Sequence, residues 1–224
     1  MATYKLNIAR IRRCPPPERL AEALEAFGLP EDDEYGVLNH SATPRAVFGT
    51  VVRKVEQAVQ RLDAEAREVT AAAVEKVQVY PFGIRPDAEV LELYAGGVSS
   101  IEKMGEFLSG SLGLPTAVEV IEVDVPAALA KLTKLTERLQ LQSVRVADYA
   151  HNSYMAGPYA PKFLDSEHGR EFLEEYAESV TAASVRFACP MGRTRVKLSP
   201  KACFSFSCHE DDRPVVLSIL RKLV

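Results

Sequence analysis

The chain has 224 residues, of which 47% are hydrophobic and 26% charged, and its formal net charge at pH 7 is -4. This composition is typical of a globular protein long enough to bury a core without disulfides or metals. The sequence pI of about 5.7 excludes a bulk polyanion binder of the histone type, although a local basic patch remains compatible with it. No apolar run approaches the roughly 20 residues of a membrane-spanning helix. The first residues also lack a signal-peptide pattern, so we expect a cytoplasmic protein that makes no membrane contact.

The first elements are a strand and a helix. Residues 4–12 alternate between polar and apolar side chains, which predicts a strand with Leu6 and Ile8 on its inner face. Three prolines end that strand, and the following stretch, 18–29, has the apolar spacing of an amphipathic helix. The acidic, irregular residues 30–41 predict a loop.

Residues 44–77 carry two conflicting signals. Apolar residues recur there at helical spacing among good helix formers, which favours a helix through the middle of the segment. The stretch VFGTVV is rich in β-formers, however, and LDAEARE is suited to turning a long hairpin. We favour the helix and keep the hairpin as the alternative.

The remaining segments alternate between strand and helix patterns. Strands are predicted at 74–84, 89–95, 116–123, 143–150, 184–189, 193–199 and 202–208, and helices at 99–112, 126–139, 167–180 and 213–224. This order predicts an α+β fold, a largely antiparallel sheet with helices packed on one side. We expect a single domain over 1–224 with a weak division near 114–140. The order also allows two similar halves, each a strand, a helix, a meander and a helix.

The predicted C-terminal meander carries its cations on one face. Alternation places Val196 and Leu198 on the inner side of the predicted sheet. The outer side carries short hydroxyl side chains and four cations, Arg186, Arg193, Arg195 and Lys197. Arg, Lys and Ser are the side chains that contact nucleic-acid phosphates. An acidic protein would suit the same face, and so would plain solvent. DNA and RNA are not distinguished by this pattern.

A second candidate region is the polar, aromatic segment 150–164, which we predict to be a loop. It contains His151, Tyr154, Tyr159 and Lys162, and such groups often form binding sites on loops. The alternative is a metal-independent enzyme in which His151 acts as a general base beside the tyrosines. Against catalysis, no GxSxG elbow or HExxH motif accompanies them.

The four cysteines are predicted to be free thiols. In an intracellular chain of this size, Cys14, Cys189, Cys203 and Cys208 are expected to stay reduced. A zinc site that includes His209 would need converging ligands, but alternation turns Cys203 outward and Cys208 inward. We therefore expect neither a metal nor a cofactor.

Together these patterns favour a non-enzymatic binding protein. It is expected to contact nucleic acid through the cations of the predicted meander and through residues 150–164, which we call the Tyr-rich segment. The second hypothesis is a subunit of a cytoplasmic protein assembly that uses the same surfaces. The third is the enzyme centred on His151. The expected binding residues are Arg186, Arg193, Arg195, Lys197, Tyr154, Tyr159 and Lys162.

Overall fold

The structure, a computed structural model, describes residues 1–31, 33–63, 68–152, 155–164 and 166–224. Within these residues the fold is α+β with antiparallel strands, as predicted. The strands are β1 Ala2–Arg12, β2 Tyr35–Thr43, β3 Ala46–Asp63, β4 Glu68–Arg85, β5 Val90–Leu93, β6 Ala117–Val120, β7 Gln140–Asn152, β8 Met155–Tyr159, β9 Val180–Cys189, β10 Gly192–Leu198 and β11 Cys203–Cys208. The α-helices are α1 Pro17–Phe27, α2 Val98–Glu106, α3 Val125–Leu135, α4 Ser166–Tyr176 and α5 Arg213–Arg221.

Backbone contacts divide the chain into two compact units. We call residues 1–10, 94–101 and 119–224 the meander unit, and residues 11–93 and 102–118 the hairpin unit. No helix in the described ranges is long and apolar enough to cross a membrane.

The meander unit is a sheet with one buried face. Its strands neighbour one another in the order β1-β11-β10-β9-β7-β8. Buried side chains alternate along β9, β10 and β11, as the sequence predicts, and Phe187, Phe204 and Phe206 are each only 1% exposed. Helix α3 contacts β9, and helix α4 contacts β7. One face of the sheet is therefore buried, and the alternate side chains of each strand lie on the opposite, outward face.

The hairpin unit contains the strands β2-β3-β4-β5 in that order. Helix α1 contacts β2 and β3, and it ends where Gly28 adopts a φ of 61°, a conformation that favours glycine. Phe107 packs edge-on against Phe27 with ring centroids 5.4 Å apart, and it lies 5.5 Å from the ring of Tyr35. These apolar contacts are the local core of this unit.

The favoured helix within 44–77 is wrong, because that segment belongs to a long hairpin. Strands β3 and β4 are 18 residues each and pair from Val47↔Ile84 to Asp63↔Glu68. Strand β2 pairs with β3 only as far as Arg53, and β5 pairs with β4 only from Phe82 onward. We call residues 54–63 and 68–77 the arm. Its two strands pair with each other, and at its base the amide of Lys54 also donates to the carbonyl oxygen of Glu34 at 2.7 Å.

Two segments predicted as loops also contain strands. Strand β2 occupies Tyr35–Thr43, within and beyond the predicted loop 30–41. Strand β8 occupies Met155–Tyr159 within the predicted loop 150–164. Both are at the ends of the strand order. Neither YGVLNHSAT in β2 nor MAGPY in β8 shows the regular polar and apolar alternation that marks a half-buried strand.

Candidate functional site: the basic face of the meander unit

The outward side of the meander unit carries a cluster of cations. Arg193, Arg195 and Lys197 on β10 are exposed and alternate with buried Thr194, Val196 and Leu198. This alternation follows from the two-residue period of a strand, which sends neighbouring side chains to opposite faces. Arg186 on β9 is half-buried on the same outward side. The four cations expected from the sequence are thus brought together.

Two further cations join these four from strands that lie far away in the sequence. Lys5 on β1 lies opposite Ser205, which in turn lies opposite Lys197. Arg145 on β7 is exposed and lies opposite Ala182 of β9. We call the set Lys5, Arg145, Arg186, Arg193, Arg195 and Lys197 the basic face.

The register places two like charges directly against each other. Arg195 lies opposite Arg186 on one side and opposite Ser207 on the other. Like charges in directly opposed positions of a sheet destabilise it. Among the described residues, no carboxylate forms an ion pair with any member of the basic face. The repulsion is therefore not offset by an acidic neighbour in this part of the chain.

Short polar side chains lie between the cations. Thr3 and Ser207 share a hydrogen bond of 3.0 Å between their hydroxyl oxygens. The Ser199 hydroxyl donates to the carbonyl oxygen of Cys203 at 2.8 Å. Hydroxyls and backbone amides supplement Arg and Lys at phosphate contacts, so the composition of the face suits a polyanion.

Three depressions indent this face. The first, of about 430 Å³, is lined by Met1, Arg186, Arg193, Arg195 and Ser207. The second, of about 260 Å³, is lined by Arg138, Gln140, Arg186, Phe187, Ala188, Gly192 and Arg193. The third, of about 330 Å³, has Arg145 and Lys197 on its wall together with Ser143, Ser184 and Ser199. Cations thus line all three depressions.

Tyr159 of the Tyr-rich segment belongs to an aromatic cluster formed with residues of β7 and α4. The ring of Tyr159 lies 4.5 Å from Tyr149, and both rings lie 6.3 Å from Phe172 of α4. Tyr176 stacks on Phe172 at 4.6 Å, and its pKa is raised to about 12, chiefly by a hydrogen bond with Glu175. These contacts join α4 to β7 and β8, so the position of Tyr159 has a packing explanation.

Of the other predicted site residues in the Tyr-rich segment, the structure describes the side chain of Lys162 but not those of His151 and Tyr154. Lys162 is exposed, and its backbone forms an isolated bridge with Ser143, which lines the third depression. Tyr154 and the side chain of His151 lie outside the described part of the structure. The enzyme hypothesis centred on His151 therefore stays untested.

The four cysteines are free. Cys208 is fully buried, whereas Cys203 lies on the same side of β11 as Ser205 and Ser207. Burial raises the pKa of the Cys203 thiol against the opposing effect of Lys201 and Lys5, and it also raises the pKa of Cys189 and Cys208. Within the described ranges, no three His, Cys, Asp or Glu side chains are grouped to hold a metal.

Sequence reasoning missed Lys5 and Arg145 as members of the basic face, and it missed Arg138, which lines the second depression but is not one of the six. Lys5 lies between Tyr4 and Leu6, and Arg145 lies between Val144 and Val146, so alternation alone assigns both to an outward side. The sequence does not indicate that β1 pairs with β11. Arg138 precedes β7 in a backbone conformation with φ 53°, for which no sequence pattern gave a signal.

Comparison with known proteins assigns no family to this chain. No protein-family model matches it, and no curated protein matches it. The functional argument therefore depends on the residues of the basic face.

Proposed function

We propose that the protein is a cytoplasmic, non-enzymatic binding protein whose basic face contacts the phosphates of a nucleic acid. The observation that carries the proposal is the concentration of six cations on one sheet face of a chain whose net charge is -4. A solvated face needs polar side chains, but it does not need them to share one sign. The directly opposed cations Arg186 and Arg195 also support a bound anion, because an anion would offset their mutual repulsion.

The composition of the face favours contacts with phosphates over stacking on bases. The register-paired outward residues of β1, β9, β10 and β11 are Thr3, Lys5, Ser184, Arg186, Ala188, Arg193, Arg195, Lys197, Cys203, Ser205 and Ser207. None of these described residues is aromatic, whereas proteins that read single strands on a sheet use exposed aromatic rings. We therefore expect binding with little sequence preference and a strong dependence on salt.

A cytoplasmic location is part of the proposal. The four free cysteines suit a reducing compartment. Fractionation of the native cells would test it, and recovery of the protein outside the cytoplasm would contradict it.

The decisive experiment reverses charges on the face. The triple variant Arg193→Glu, Arg195→Glu and Lys197→Glu is compared with the parent for binding to single- and double-stranded oligonucleotides across a salt series. The parent should weaken steeply with rising salt, with a slope of log affinity against log salt of about -0.9 for each phosphate contact on a duplex. The triple variant should bind poorly at every salt concentration.

A matched control separates the face from net charge. Arg45, Lys131 and Lys134 are exposed cations outside the basic face, and their replacement by Glu changes the net charge by the same amount. This control should retain most of the parent's affinity. Equal losses in both triple variants, or no oligonucleotide binding by the parent at low salt, would contradict the proposal.

The second candidate is a subunit of a protein assembly that contacts an acidic partner through the same face. The absence of aromatic side chains among the register-paired outward residues favours it, since carboxylates need only the cations. A protein recovered with the parent from its native cells and lost with the triple variant, without oligonucleotide binding, would support this candidate.

A further inference from the structure

The second depression on the basic face differs from the others in the geometry of its arginines. Its floor includes Ala188, an exposed small side chain of β9. Arg193 lies directly opposite Ala188 on the β10 side. On the β7 side, the amide of Ala188 donates to the carbonyl oxygen of Glu137 at 3.2 Å, so Arg138 lies next to the same position. Two arginines thus flank a position where the side chain is only a methyl group.

Two further polar side chains line this pocket. Arg186 lies two residues before Ala188 on the same side of β9, and Gln140 lies directly opposite Arg186. Neighbouring strands are about 4.8 Å apart, so the backbones of Arg138 and Arg193 are separated by roughly 10 Å across the floor. Guanidinium forks extended from both sides can therefore reach one group held above Ala188.

We propose that this pocket binds a terminal phosphate monoester, the phosphorylated end of a nucleic-acid strand. This inference rests on the proposed function and names the part of the nucleic acid that this site takes. A monoester carries about -1.5 to -2 charges at neutral pH and presents three acceptor oxygens. The pocket offers three arginines and an amide for them.

The size of the pocket favours an end over an internal phosphate. Its volume of about 260 Å³ is slightly below the roughly 300–1,000 Å³ of sites that enclose a drug-sized ligand. An internal diester enters with a sugar on each side, whereas a terminal phosphate carries a sugar on one side only. The remaining cations of the basic face lie outside this pocket and would contact the rest of the strand; they are Lys5, Arg145, Arg195 and Lys197.

The test compares short duplexes that differ only at their ends. Four substrates are used: 5′-phosphate ends, 3′-phosphate ends, hydroxyl ends and a closed dumbbell duplex without ends. The parent should bind one phosphorylated form about tenfold more tightly than the hydroxyl form, as expected for added charged hydrogen bonds. The 5′ and 3′ substrates distinguish the two sources of the phosphate.

Three variants locate the effect within the face. Ala188→Leu fills the floor without changing charge, and Arg138→Gln removes one flanking cation; both should abolish the tenfold preference and leave dumbbell binding within about twofold. Lys197→Gln removes one charge outside the pocket, so it should weaken binding to all four substrates and preserve the preference. Thermal unfolding of each variant identifies any that fail to fold.

The outcomes separate this inference from the proposed function. Equal binding to phosphorylated and hydroxyl ends, or a preference that survives in both Ala188→Leu and Arg138→Gln, would overturn the end-binding site while the dumbbell still reports binding by the face. Loss of binding to every substrate, including the dumbbell, would overturn both.

Discussion

The basic face and the arm are both exposed β-structure, yet their sequences differ in a way that reflects burial. Along the basic face every second residue faces a packed core, so the cations of β10 alternate with the buried side chains of Thr194, Val196 and Leu198. Along the arm neither side is fully covered: Val59, Val69, Val74 and Val77 are between 37% and 62% exposed. A period of two therefore marks a strand only where one of its faces is buried.

The first prediction compares the cores of the two regions and has the largest expected effect. Phe206 is 1% exposed beneath the basic face, with its ring 5.5 Å from that of Tyr4. Phe206→Ala should lower the free energy of unfolding by about 3–5 kcal/mol, because it leaves a cavity. Val77→Ala on the arm, at 52% exposure, should change it by less than about 0.5 kcal/mol. Urea unfolding measures both, and equal losses would mean that the arm is packed against something.

The second prediction tests the hairpin against the helix that the arm sequence resembles. Ala58 and Ala73 lie directly opposite each other, within the Cα separation that a disulfide spans. In a single helix, residues 15 positions apart would be about 22 Å apart. Oxidised Ala58→Cys/Ala73→Cys should therefore cross-link and gain up to about 3 kcal/mol in stability.

The control for that cross-link moves one cysteine by a single position. Ala72 lies opposite Val59 and points to the other side of the ribbon, so Ala58→Cys/Ala72→Cys should not close. Peptide mapping by mass spectrometry identifies the linked residues against the four native thiols. Efficient closure of the control pair would contradict the described register.

The third prediction concerns the base of the long hairpin, where backbone and ring approach closely. A methyl group on Gly49 would lie 2.7 Å from the carbonyl oxygen of Asn39 and 2.9 Å from the ring of Phe82. Gly49→Ala should therefore cost about 1–3 kcal/mol by overpacking. A methyl group on Gly110 meets nothing within 4 Å, so Gly110→Ala should not destabilise. Thermal unfolding compares the two, and a tolerated Gly49→Ala would place the base of the hairpin farther from Asn39 and Phe82.

The fourth and smallest effect is a gain in stability on the basic face. Replacing Arg195 by Thr removes the like charge opposite Arg186 and introduces a good strand former. At low salt the free energy of unfolding should rise by about 0.2–1 kcal/mol, while oligonucleotide affinity should fall. Lys197 lies opposite Ser184 and Ser205, so Lys197→Thr should give a smaller gain. A loss of stability in Arg195→Thr would show that the repulsion is not felt.

The sequence predicted the meander and the orientation of its cations because local alternation there coincides with burial. Lys5 and Arg145 could be assigned an outward side in the same way, but their place beside Arg195 and Lys197 depends on pairing between distant strands. The arm was mistaken for a helix because its residues are good helix formers and no buried face imposes a period of two. Tyr159 looked like a loop residue because strand β8 is short and its packing against α4 is non-local.

The pairing of β1 with β11 has a consequence for the time course of synthesis. The side chains of Thr3 and Ser207 are hydrogen-bonded although they lie 204 positions apart in the sequence. A ribosome adding about 5–20 residues per second needs roughly 10–40 s to make that span. Throughout this interval the side of β1 that will meet β11 presents unsatisfied amides and carbonyls, which can template association with other chains. Nascent chains that stop before residue 203 lack β11 and cannot bring Lys5 and Lys197 to the two sides of Ser205. The complete basic face therefore forms only late in synthesis.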